Sequence, residues 1–188
     1  MLQTLLFFHV LAAIGLFTGI SIDVVAVIRV QRATTLTQVR AAVLNLPLVA
    51  PIMILSVLLL LAMGISMIYA GGFGWTPGWI NAALAVTIIL TVLGPTVTGR
   101  KGEHLYVLAE SAGDGPITAE VDAARQDRAL NYTVFLSLFE LIALLYVMVT
   151  KPEMPQAATI IAAAAVLAAV PAAVVLRLGS RQAATETA

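Results

Sequence analysis

Residues 2–28 read LQTLLFFHVLAAIGLFTGISIDVVAVI. About 20 apolar residues suffice for a helix to cross the hydrocarbon core of a bilayer, so this run spans it with residues to spare. Its ionisable side chains are His9 and Asp23. The step from residue 9 to residue 23 is close to a whole number of helical turns, which puts both groups on one face. Between them, Gly15-Leu16-Phe17-Thr18-Gly19 is a small-xxx-small step that lets a second helix approach closely. Gly15 and Gly19 are therefore read as packing positions. The opening Met1-Leu2-Gln3-Thr4 lacks the basic flank of a secretory signal, and the apolar run is too long for a cleaved one. It reads as a retained span.

The composition supports a membrane setting. Hydrophobic residues make up 61% of the chain and charged residues 11%, with a mean hydropathy of +1.01. Soluble domains carry about 25% charged residues; a chain this poor in charge has lipid as its solvent. The 188 residues and zero formal net charge fit a single membrane domain over residues 1–188 and give nucleic acid nothing to bind. The chain has no cysteine, which removes disulfides and thiol chemistry from consideration.

Four more apolar segments follow, at about 41–69, 79–98, 129–150 and 155–176. The expected architecture is all-α, a polytopic bundle of five transmembrane helices. Basic residues set its orientation. Arg29, Arg32, Arg40, Arg100, Lys101, Arg125, Arg128, Arg177 and Arg181 fall on one side of this layout and only Lys151 on the other. Under the positive-inside rule that places the N-terminus outside and the C-terminus in the cytoplasm; the expected location is a bacterial inner membrane. Pro47 and Pro51 predict a kink near the inner end of the second span. Trp75 and Trp79 bracket a short uncharged outer turn and suit the headgroup level. Residues 99–128 form the one sizeable polar stretch. Pro116 predicts the start of a helix running through Arg125 into the fourth span, and the whole reads as a cytoplasmic helical hairpin. That hairpin is either a solvated loop with local ion pairs or a docking surface.

Ionisable groups at membrane depth are the functional candidates. Glu140 lies roughly 16 Å into the fourth span by the helical rise, near the midplane. Thr133, Ser137 and Glu140 share a face, a polar stripe suited to a proton or ion path. The plainer alternative is a carboxyl hydrogen-bonded between helices. Asp23, closer to the inner end, pairs with Arg29 or with that stripe, or is reached by water. His9 sits about 10 Å from the outer end. Met63 and Met67 in the antiparallel second span reach a similar depth, and so does Met148. An imidazole with thioethers suits copper, or a haem held by His and Met; the plainer alternatives are a hydrogen-bonded histidine and methionines that fill gaps. His104 falls at the opposite side of the membrane from His9. The alanine-rich fifth span is a packing helix, facing its own bundle or a second copy.

The pattern Phe8-His9-Val10-Leu11-Ala12-Ala13-Ile14-Gly15 resembles the opening of small bacterial predicted integral membrane proteins of unknown function. It also resembles the copper-resistance D group, which implies a metal role for His9. The chain departs from that group in lacking a second outer-side histidine. Nothing in the sequence resembles a catalytic triad, a phosphate loop or a zinc motif. The leading expectation is a small proton- or ion-coupled transporter centred on Glu140. The alternatives are a haem or copper protein using His9, and a non-catalytic subunit or assembly factor of a membrane complex.

Overall fold

The computed structural model describes residues 1–186, with side chains through residue 179; the side chain of Arg181 lies outside the described residues. The elements are α1 (Leu2–Arg32), α2 (Leu36–Val43), α3 (Leu46–Ala70), α4 (Gly78–Leu93), a π-helical turn (Gly94–Gly99), α5 (Arg100–Ser111), α6 (Ala119–Arg125), α7 (Arg128–Thr150) and α8 (Met154–Glu186). Among the described residues there is no strand, only an isolated bridge between Thr35 and Pro116. Five helical stretches are long and apolar enough to cross a membrane: Leu2–Arg32, Leu36–Ala70, Gly78–Ser111, Ala119–Thr150 and Met154–Gly179. The all-α, five-span reading is borne out. Large side chains such as Leu55, Val149 and Val166 are 67–73% exposed, which suits lipid and not water.

Three boundaries differ from the sequence expectation, each for a local reason. The second span does not kink at Pro47. The helix breaks at Leu44–Asn45, and Pro47 falls in the first turn of α3, where its missing N–H leaves no bond unmade. In the third span Pro95 removes a donor from the ladder, and the chain widens into the π turn before continuing as α5. The helix expected from Pro116 into the fourth span is two helices. The Thr118 hydroxyl caps α6 at Val121 N, 3.4 Å, and the Asp127 carboxylate caps α7 at Leu130 N, 2.9 Å. A second cap makes a second start.

α1 is the central helix, packed against α3, α7 and α8. Its tightest neighbour is the antiparallel α3. A Cβ built at Gly15 would land on the Ser56 hydroxyl, and one at Gly19 on the Met53 side chain. The glycines thus set how near the two backbones lie. α7 and α8 form the other close pair, joined by Phe135, Ala168, Ala172 and Val175. α3 touches α1 and α5 but makes no extended contact with α4.

At the arginine-rich end the polar segments build a cap. Val30, Ala33, Leu36, Val39, Val43, Leu105, Ala109 and Val121 form one buried cluster drawn from α1, α2, α5 and α6. The stretch expected as a protruding hairpin is therefore folded down onto α2. Two arginines secure it. Arg40 donates from Nε to the Ala109 carbonyl (3.2 Å) and from Nη2 to that of Ala112 (2.7 Å), closing the C-terminus of α5. Arg125, 3% exposed, donates from Nη1 to the carbonyls of Val30 (3.2 Å) and Ala33 (2.9 Å), closing the C-terminus of α1. A cation there meets both the orphan carbonyls and the negative end of the helix dipole. Arg40 also pairs with Asp114, Lys101 with Asp127 and Arg125 with Asp122.

Candidate functional site

A groove of about 1460 Å³ runs between α3 and α4, floored by α1 and α7. It exists because α3 lies along α1 and leaves α4 unpartnered on that flank. The lining is overwhelmingly apolar. The exceptions include His9 and Lys151 toward one end, Thr87, Thr91 and Ser137 farther along, and Asp23, Gln31, Arg100, Glu103, Arg125 and Asn131 toward the arginine-rich end. His9 and Asp23 do share this one face.

His9 is held by backbone. Its Nδ1 lies 3.0 Å from the Leu60 carbonyl across the α1–α3 contact. The approach depends on Gly64, where a Cβ would stand 3.2 Å from His9 Cε1. A carbonyl can only accept, so Nδ1 carries a proton, and in the neutral ring this leaves the lone pair on Nε2. Met67 and Met148 line the groove with His9; Met63 is not part of the lining.

The other candidates separate from one another. Asp23 is half-buried in the groove and forms neither the Arg29 pair nor a bond to the α7 hydroxyls. Glu140, 4% exposed, is not part of the groove lining, and its Oε2 has no hydrogen-bond partner. Thr133 and Ser137 donate to carbonyls of their own helix, Ala129 O at 2.7 Å and Thr133 O at 2.8 Å. Thr98 in the π turn reaches Thr133 Oγ1 at 3.1 Å. The stripe is thus a set of satisfied hydroxyls leading to an unsatisfied carboxyl. His104 is exposed on α5, at the far end from His9.

Residues 3–152 match the model of a family described as a predicted integral membrane protein (DUF2269). The chain belongs to the DUF2269 family. The likeness of the first span to small integral membrane proteins of unknown function is borne out; the match says nothing of copper resistance. It covers this DUF2269 chain from α1 through α7, including His9, Glu140 and Lys151, and stops short of α8. No curated protein and no solved structure matches it.

Sequence reasoning missed the buried polar cluster of this DUF2269 protein. Gln31 donates through Nε2 to the Arg125 carbonyl and to Asn131 Oδ1 (3.3 Å), while Asn131 Nδ2 donates to the carbonyls of Arg125 (2.9 Å) and Asp127 (2.8 Å). Gln31 and Asn131 are 1% and 0% exposed. Arg125 entered the sequence reading as a positive charge and as part of the helix expected from Pro116, with no partner named. The available signal was Asp122 three residues before it, an ion-pair spacing on a helix.

Proposed function

We propose that this multi-pass membrane protein binds haem in the groove between α3 and α4, with Nε2 of His9 on the iron, in a bacterial cytoplasmic membrane with its N-terminus outside. The observation that carries the reading is the His9 Nδ1 bond to the Leu60 carbonyl within a large apolar groove. Histidines that ligate metals characteristically donate their other ring N–H to a carbonyl or carboxylate, which fixes the ring and its tautomer. Apolar walls with few polar groups suit a hydrophobic macrocycle, and the volume exceeds the roughly 300–1,000 Å³ of ordinary ligand clefts. Met67 and Met148 offer soft donors in the same groove. The nine-to-one division of basic residues supports the orientation.

Haemin titration of the detergent-purified protein tests this. The wild type is expected to develop a Soret band. His9→Ala is expected to bind more than about 100-fold more weakly, because losing only a ligand's supporting hydrogen bond costs about 10–100-fold. A wild type without a Soret band, or a His9→Ala protein that binds equally well, overturns the reading. Stoichiometric copper on a protein that takes no haemin moves His9 to a copper site instead.

Glu140 supports a second reading, a proton- or ion-coupled transporter. The observation in its favour is a carboxyl deep in the bundle with an unpartnered oxygen, costly enough to suggest a working role. In proteoliposomes carrying a pH-sensitive dye, Glu140→Gln is expected to cut proton flux at least about ten-fold, in line with the usual loss of a proton-transfer group, while remaining folded. Equal flux from the two proteins, or none from the wild type, removes this reading.

A further inference from the structure

Lys151 forms the turn between α7 and α8 with φ 48° and ψ 53°. It is the one non-glycine residue with positive φ among the described residues. Glycine or asparagine takes that conformation more readily, so a lysine here is held against backbone preference, a pattern that accompanies function. Its Nζ stands 5.7 Å from the centroid of the Phe73 ring and 5.6 Å from that of Trp79. The two rings meet edge to face at 6.2 Å. Lys151, Phe73 and Trp79 all line the groove that contains His9. No carboxylate pairs with Lys151 among the described residues, the exposed Glu153 included. The other Lys and Arg residues through Arg177 belong to the opposite end of the bundle. Among the described lysine and arginine side chains, Lys151 is thus the one at this mouth of the groove, and it stands on an aromatic platform.

His9 lies about 10 Å along α1 from the same end. An amphiphilic macrocycle standing on His9 keeps its apolar body among the aliphatic walls and its acid groups at the mouth. We infer that Lys151, carried on the Phe73–Trp79 ring pair, binds the carboxylates of a dicarboxylate macrocycle seated on His9. The inference rests on the haem reading and adds the charge that selects and orients the ligand. A cation near aromatic faces keeps its charge available to an anion while its position is fixed.

The test compares two ligands on the full-length protein in detergent: haemin, with free propionates, and its dimethyl ester, in which both are neutral. Lys151→Asn preserves a residue tolerant of the left-handed turn. It is expected to weaken haemin binding about five-fold, the scale of a partly exposed ion pair, and to leave the ester unchanged. Lys151→Arg is expected to restore haemin binding. Equal weakening for both ligands means that the lysine only shapes the turn, and unchanged haemin binding means that it meets no carboxylate; either overturns the inference while the haem reading stands. If the wild type binds neither ligand, the haem reading falls and this inference with it.

Discussion

Arg125→Ala is expected to destabilise the folded protein by about 3 kcal/mol, measured by denaturant or thermal unfolding in detergent. Removing one partner of a buried charged pair typically costs about 3–5 kcal/mol. The lower end applies because the Asp122 carboxylate is 32% exposed and recovers water when its partner goes. The main loss lies elsewhere. The carbonyls of Val30 and Ala33 lose their Arg125 donor at the buried end of α1, and each unsatisfied buried group costs about 1–3 kcal/mol. The guanidinium also leaves a void beside the Val30 and Ala33 carbonyls. Arg125→Lys is expected to recover only part of the loss, because a point charge cannot reproduce a planar fork that reaches two carbonyls and a carboxylate. Arg40→Ala is the comparison: its side chain is 29% exposed, and about 1 kcal/mol is expected from its hydrogen bonds. An Arg125→Ala loss no larger than that of Arg40→Ala would mean that the cap contributes little to global stability.

Gly15→Ala is expected to cost about 1–3 kcal/mol, the range for overpacking a close contact. The added methyl would overlap the Ser56 hydroxyl on α3, and Ser56 is 8% exposed with little room to turn aside. Because the conflict is between two named atoms, it has a specific remedy. Ser56→Gly in the same chain is expected to return most of the stability, giving a positive coupling in a double-mutant cycle. Additive effects would place the damage in the conformation of α1 itself. Gly19→Ala is expected to be milder, since the atoms it meets belong to the unbranched Met53 side chain.

The membrane fold was legible because length and apolarity are local quantities. Each span reports itself in its own residues, and Leu2–Ile28 needed no partner to be read. The packing role expected of Gly15 and Gly19 was legible for the same reason: small residues at one spacing mark a face. Pro47 was half legible. Its effect on a helix was clear, but whether it kinks a helix or begins one depended on where the chain breaks, at Leu44–Asn45. The candidate site divides in the same way. His9 was visible as an ionisable group at membrane depth, whereas the Leu60 carbonyl that fixes its tautomer carries no sequence signature. The meeting of Gln31, Arg125 and Asn131 was not legible at all. Gln31 lies 94 residues from Arg125 and 100 from Asn131, and neither a glutamine at the end of an apolar run nor an asparagine at the start of one names its partner. The Glu140 stripe was legible as a spacing but not as a set of bonds. Its spacing suggested a path, but a hydroxyl on a helix can always turn back to the carbonyl one turn earlier, and Thr133 and Ser137 do so.

The Arg125 cap also carries a consequence for biogenesis. The carbonyls of Val30 and Ala33 leave the ribosome long before the side chain that closes them, which is more than 90 residues away. At about 5–20 residues per second, that interval lasts roughly 5–20 s. Within it α3 is made and can pair with α1, but the carbonyl end of α1 stays open and the α7 and α8 faces it packs against do not yet exist. Helix α1 is thus made well before the residue that closes its carbonyl end.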